Sequence, residues 1–169
     1  MLGPAEVAFI AKVPIFGAVP EAALRRIANL ARRVDLDGPT VVFREGDQAK
    51  EMFIVLAGEL EVRKRGKDGA DTRIAMLRPG DCAGEMALID IQPRSAGVRA
   101  LGPASLAVFS HADLATLYDE DPTAYTIFVM NIAREISRRL RRVDSLLANL
   151  LLDLQAIWSN ASEARGLER

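Results

Sequence analysis

Between Arg33 and Phe109 the chain never runs far without a glycine. Gly46, Gly58, Gly66, Gly69, Gly80 and Gly102 punctuate the β-prone runs TVVFREGD, EMFIVLAGELEVRKRGKDGADTRIAMLRPGD and GVRALGPASLAVFS. Glycine adopts the backbone conformations that tight turns need. Within the runs, Val41, Phe43, Phe53, Val55, Leu60 and Val62 fall at the two-residue period of strands with one face buried. Short strands at regular spacing predict a sandwich, roll or barrel.

Both flanks of this zone read as helical. Leu24, Ile27, Ala28 and Ala31 lie at i, i+3, i+4 and i+7, which predicts one amphipathic helix over about Pro20–Ala31. Pro20 suits a first helical turn, and an earlier short helix stops near Val13 because Pro14 disfavours helix before it. After the strands, Ser110 with Asp113 three residues on forms a capping-box-like start for HADLATLYDE. Asp121-Pro122 opens a second helix that meets no Gly or Pro until Gly166. The order is therefore N-terminal helices over 1–32, a β zone over 33–110, C-terminal helices over 111–160 and a tail over 161–169. A β-core capped by helices at both ends follows.

Composition narrows the chemistry. The 169 residues carry a formal net charge of −1, with half of them apolar and 27% charged, which describes a globular chain with a sizeable core. Near-zero charge removes the electrostatic footprint of a stand-alone nucleic-acid binder. One cysteine, Cys82, excludes an internal disulfide and suits a reducing compartment. One histidine, His111, excludes sites needing two or more imidazoles and argues against a metal-bearing enzymatic β-roll. No apolar window reaches the ~20 residues that span a bilayer. A cytoplasmic chain with no cofactor and no membrane association is expected.

The informative stretch is Asp81-Cys82-Ala83-Gly84-Glu85-Met86-Ala87-Leu88-Ile89 followed by Gln92-Pro93-Arg94-Ser95-Ala96-Gly97. Glu85 and Arg94 sit among small residues, which let a backbone approach a ligand closely. GEMALI is long enough for one or two helical turns whose free N–H groups can face an anion. Arginine adds a planar fork suited to two phosphate oxygens. A carboxylate beside them would repel phosphate unless it accepts from hydroxyls, as on a sugar. The combination points to a sugar phosphate; the competing reading of Glu85 and Arg94 is an ion pair tying a loop to the β-core.

GEMAL…PRSA resembles the phosphate-binding cassette of cyclic-nucleotide-binding domains, the family of catabolite-activator-type regulators, protein kinase A regulatory subunits and nucleotide-gated channels. VPIF, FREGD, Gly58-Glu59-Leu60 and LRPGD extend the likeness over roughly residues 9–145. The resemblance implies an eight-stranded antiparallel, jelly-roll-like β-roll with a cassette over 81–97 that contains a short helix, two C-terminal helices following. It implies that Arg94 pairs with the cyclic phosphate and that Glu85 accepts from the ribose 2′-hydroxyl. Gly84, Met86, Ala87, Ser95 and Ala96 would complete the cradle, with Cys82, Ala83, Arg138 and Arg139 as further contacts. Serine at 95, where threonine is the family's usual guanine contact, favours cAMP, with cGMP possible. Ala83 replaces a common aromatic and Gly97 replaces Thr, Ser or Val, so side chain is missing from around the pocket.

The last helix carries two patterns. Arg134, Arg138, Arg139, Arg141 and Arg142 crowd nine residues, as on a solvated face. Ile136, Leu140, Val143, Leu147, Leu150, Leu154 and Ile157 follow spacings of 4, 3, 4, 3, 4, 3, a coiled-coil seam that predicts a homodimer. Leu146, Leu151 and Leu152 widen the stripe and leave the number of helices open. Only Ser159–Arg169 follow, too few for a helix-turn-helix, so no DNA binding by this chain alone is expected. The expected function is a non-enzymatic cyclic-nucleotide sensor that moves its long helix and acts on a downstream protein partner. The alternative is a ligand-free module that assembles through that helix.

Overall fold

Eight strands pair antiparallel in two four-stranded sheets. The computed structural model describes residues 1–67, 69–90 and 92–166, with side chains through residue 158. Strands β1 (Arg32–Leu36), β2 (Thr40–Phe43), β3 (Glu51–Ala57), β4 (Leu60–Arg65), β5 (Asp71–Leu77), β6 (Cys82–Ala83), β7 (Gly97–Ala100) and β8 (Ala104–Ser110) alternate between the sheets except at the β4–β5 hairpin, whose strands share one sheet. One sheet runs β1-β8-β3-β6 and the other β2-β7-β4-β5. Phe53, Val55, Leu60, Leu77, Val98, Leu106 and Val108 form the core cluster that the two sheets share. This is the eight-stranded roll with flanking helices that the sequence led us to expect.

Val41 departs from the expected inward alternation. A register shift between Val41 and Phe43 pairs Val41 with Arg99 and Phe43 with Val98. The extra residue turns Val41 outward, 45% exposed, while Val42 and Phe43 pack against the core.

Two turns of the same construction brace the roll. In each, an Arg-x-Gly-Asp segment has the aspartate Oδ2 accepting from the arginine N–H, at 2.7 Å for Asp47–Arg44 and 2.8 Å for Asp81–Arg78. The third residue of each turn is left-handed, with φ of 84° at Gly46 and 95° at Gly80. That backbone region favours glycine because a Cβ would crowd the carbonyl.

Helices α1 (Pro4–Ile10) and α2 (Glu21–Leu30) precede the roll, joined through a 3-10 turn over Pro14–Phe16. Pro20 lies just before α2, accepting from Leu24 N–H at 2.9 Å, so the helix starts one residue later than its sequence pattern suggested. Helix α4 (His111–Glu120) has the expected capping box: Ser110 Oγ accepts from Asp113 N–H, and Asp113 Oδ2 accepts from Ser110 N–H at 2.6 Å. Asp121 then caps α5 (Pro122–Gly166), its Oδ1 accepting from Ala124 N–H at 3.0 Å. With no Gly or Pro to stop it, α5 continues into the segment read as a tail. Phe128 of α5 is fully buried and stacks on Phe16, centroids 5.2 Å apart, with Phe109 beside both. Asn131 donates from Nδ2 to the carbonyls of Ile15 (3.1 Å) and Gly17 (2.7 Å).

The chain forms two compact units, Met1–Ile132 and Ala133–Arg169. The second is the continuing α5 helix, with large apolar side chains exposed from Leu140 to Trp158.

Candidate functional site

Strand β6 delivers the chain to the site. Cys82 and Ala83 are buried and pair with Ile54 and Phe53 of β3. Gly84 then turns with φ of 79°. A Cβ there would run into Arg94 Nη1 and would sit 2.9 Å from the carbonyl oxygen of Glu51. Glycine is therefore needed twice over, for its backbone angle and for the space Arg94 occupies. Glu85 follows, only 3% exposed, and the short helix α3 (Met86–Asp90) begins.

Within α3, Ala87 is buried and Met86 exposed. Ala87 N–H already donates to the Gly84 carbonyl at 3.2 Å, so one amide expected to face a ligand has a backbone partner. The Ala87 carbonyl accepts from His111 Nε2 at 2.9 Å. A carbonyl can only accept, so Nε2 carries the proton. His111 N–H donates to the Lys50 carbonyl at 3.1 Å, so the first residue of α4 is fastened both to the cassette helix and to the approach of β3.

Arg94 comes from the opposite direction and is positioned by the first Arg-x-Gly-Asp turn. Arg94 N–H donates to the Asp47 carbonyl and Gly46 N–H to the Arg94 carbonyl, each at 2.9 Å. FREGD and PRSA, far apart in sequence, are thus two halves of one backbone bridge. The Arg94 guanidinium lies over the Phe43 ring, 4.0 Å from its centroid. Nη1 reaches the Gly84 carbonyl at a long 3.4 Å, while Nε is buried and makes no hydrogen bond. Burial pushes the Arg94 guanidinium below its ordinary pKa, opposed by the charges of Glu51, Asp47 and Glu85. An arginine still keeps its proton there. A half-buried cation with an unused buried donor is costly until an anion meets it.

Ser95 is exposed beside Met86, its Oγ 4.0 Å from Sδ, and its carbonyl accepts from Lys64 Nζ. Ala96 is half-buried. Beside the cassette, Phe43, Gly97, Arg63 and Arg99 help line a groove of about 480 Å³, and a Cβ on Gly97 would make ordinary contact there with the Phe43 and Glu45 backbone. Arg138 and Arg139 lie in the second compact unit and pair with Glu135 of the same helix, at 2.9 and 3.2 Å. Among the described residues no group of His, Cys, Asp and Glu could hold a metal, and no helix is long and apolar enough to cross a membrane.

Phe43 and His111 were not legible as site residues. A phenylalanine in a strand and a lone histidine opening a helix look like packing; only the fold brings one under Arg94 and the other against α3.

The model of the cyclic nucleotide-binding domain matches residues 34–121, just over half the chain. This chain belongs to the cyclic nucleotide-binding domain family. A cyclic nucleotide-binding domain from Methylobacillus flagellatus superposes with a TM-score of 0.74 at 25% identity, covering 82% of this chain and 78% of that one. The CRP-like cAMP-activated global transcriptional regulator of Mycobacterium tuberculosis is 24% identical over 142 residues, 84% of this chain. A cyclic nucleotide-gated potassium channel of Mesorhizobium japonicum is 34% identical over 119 residues, 70% of this chain. The chain spans 62% of the regulator's length and 32% of the channel's.

Proposed function

We propose that this domain is a cytoplasmic, non-enzymatic cyclic-nucleotide sensor with cAMP as its preferred ligand and cGMP as the weaker one. The observation that carries the reading is Arg94: a half-buried guanidinium over the Phe43 ring, with a buried Nε lacking a hydrogen-bond acceptor. A cyclic phosphate supplies that acceptor together with the missing negative charge. Buried Glu85, ten residues or fewer from Arg94 in sequence, takes the ribose 2′-hydroxyl. Gly84 gives the Arg94 side chain its place, Ala96 leaves room for the sugar phosphate, the Met86 amide and Ser95 Oγ complete the cradle, and the Ala87 amide joins them by giving up the Gly84 carbonyl. Cys82 and Ala83 support it from the buried strand β6.

Occupancy is transmitted through the corner between α4 and α5, over residues 118–122, where Tyr118 and Tyr125 meet edge to face. The ligand shifts the long helix only by as much as it prefers one helix position over another, typically about 1–3 kcal/mol. The exposed heptad seam serves self-association, a homodimer being its smallest form.

Calorimetric titration of refolded, nucleotide-free full chain with cAMP and then cGMP tests the reading. Saturable binding near one per chain, tighter for cAMP and lost in Arg94→Ala, is the expected result. Heat from neither nucleotide, in protein shown to be folded, would refute it and leave the ligand-free assembly module.

A further inference from the structure

The long helix specifies how many copies it joins. With Leu140, Leu147 and Leu154 at heptad position a, Ile136, Val143, Leu150 and Ile157 fall at d. From Leu140 onward these seam residues are all exposed, from 43% at Leu154 to 62% at Ile157. Parallel two-stranded coils favour β-branched residues at a and leucine at d, whereas leucine at a with isoleucine at d favours larger bundles. The cause is the angle at which each Cα–Cβ bond meets the facing helix, which changes with strand number and decides where a β-branched side chain packs without strain. This seam has leucine at every a position and a β-branched residue at three of its four d positions.

The flanks of the seam agree. Position g holds Arg139, Leu146 and Asp153, and position e holds Ser137, Asp144, Leu151 and Trp158. A two-stranded coil leaves e and g at its wet edge, where charged residues are usual. Here Leu146, Leu151 and Trp158 are large, apolar and exposed, Trp158 by 72%. Only further helices cover both edges of such a stripe, and exposed apolar area of this kind marks an interface.

Orientation follows from charge. In a parallel coil a g residue faces the e residue five positions on in its neighbour. That rule sets Arg139 against Asp144, an opposite-charge pair, Leu146 against Leu151, an apolar one, and Asp153 against Trp158, a mixed one. Arg134, Arg138, Arg141 and Arg142 fall at b, f, b and c, away from the seam, where they remain solvated. No polar residue stands at a or d between 136 and 157 to impose two strands.

We propose that four copies of this chain associate through a parallel four-stranded coil over residues 136–158. The occupant of each exposed stripe is the same stripe of other copies. The inference rests on the heptad and its flanks, so it stands whether or not the rolls bind nucleotide.

Sedimentation equilibrium on the full chain at micromolar concentration should give four chain masses. A variant that exchanges the seam chemistry and charges its edges reverses both preferences: Leu140→Ile, Leu147→Ile and Leu154→Ile with Ile136→Leu, Val143→Leu and Ile157→Leu, combined with Leu146→Glu, Leu151→Lys and Trp158→Lys. This variant should sediment at two chain masses with unchanged helical circular dichroism. In a separate variant, Ile157→Cys should form a disulfide-linked pair on oxidation, as only a parallel coil aligns identical positions. The parent does not cross-link, because Cys82 is buried. One, two or three chain masses for the parent would overturn the proposal, as would four retained by the exchange variant. An Ile157→Cys protein that resists cross-linking would overturn the parallel arrangement.

Discussion

Replacing Gly84 by alanine separates the site's strain from its chemistry. At φ of 79°, a residue with a Cβ pays about 1–2 kcal/mol for the left-handed backbone. The new Cβ also sits 2.9 Å from the Glu51 carbonyl oxygen, which belongs to a paired strand and cannot withdraw as a side chain would. Crowding of that kind typically adds about 1–3 kcal/mol. The expected loss in unfolding free energy is thus about 2–5 kcal/mol, a large share of the roughly 5–15 kcal/mol of a typical domain. The third contact, with Arg94 Nη1, is relieved by moving the end of a flexible side chain. That movement takes the guanidinium away from its place over Phe43, so cAMP affinity should fall by at least about tenfold, equivalent to ~1.4 kcal/mol. Gly58→Ala is the control. It has the same left-handed backbone, φ of 86°, and its Cβ would meet Pro103 O at 2.5 Å and Ala104 Cβ at 2.7 Å, away from Arg94. Urea unfolding should show both variants destabilised, Gly58→Ala by at least as much, while calorimetry shows only Gly84→Ala losing affinity. Parent-like cAMP binding by Gly84→Ala would refute the claim that this glycine makes room for the arginine. Parent-like stability would refute the strain argument itself.

Removing the tie between α4 and the cassette by His111→Ala leaves the Ala87 carbonyl without this donor and should cost about 1–3 kcal/mol in denaturant unfolding. His111→Gln, whose amide can donate from a similar place, should recover part of it. Asn131→Ala strips two backbone carbonyls of their donor at a buried position, and a loss of about 2–4 kcal/mol by the same measurement is expected. Ser110→Ala removes the α4 cap and should lower stability by about 1 kcal/mol, with helix content preserved. For pH, Asp35 is held below the usual carboxylate range by hydrogen bonds from Arg33 and Ser105, and Glu45 by the Arg65 amide and Lys64. A depressed carboxylate stabilises the fold above its unfolded pKa and loses that contribution as pH falls through the folded one. Thermal midpoints should therefore drop on acidification below the ordinary carboxylate range, and Asp35→Asn should flatten part of that slope; an unchanged slope would refute the Asp35 assignment.

Much was legible in the sequence because it is enforced locally. Strand and turn alternation follows from glycines at positions such as 46, 58 and 80, where left-handed backbone admits little else. The Ser110–Asp113 cap and the uninterrupted run after Pro122 define two helices through contacts no more than four residues apart. Glu85, Arg94 and the heptad seam are visible for the same reason, since each belongs to a short motif or a fixed period.

Tertiary structure decided what lies between distant segments. It turned Val41 outward through a register shift, which depends on β7 across the sheet rather than on β2's own pattern. Arg94 gained its bearing from the Asp47 carbonyl and the Phe43 ring, and His111 became a tie to α3 because β8 ends beside the cassette. These are contacts across tens of residues, set by how two sheets close around one core, and hydrophobic period carries no record of which partner a side chain meets there.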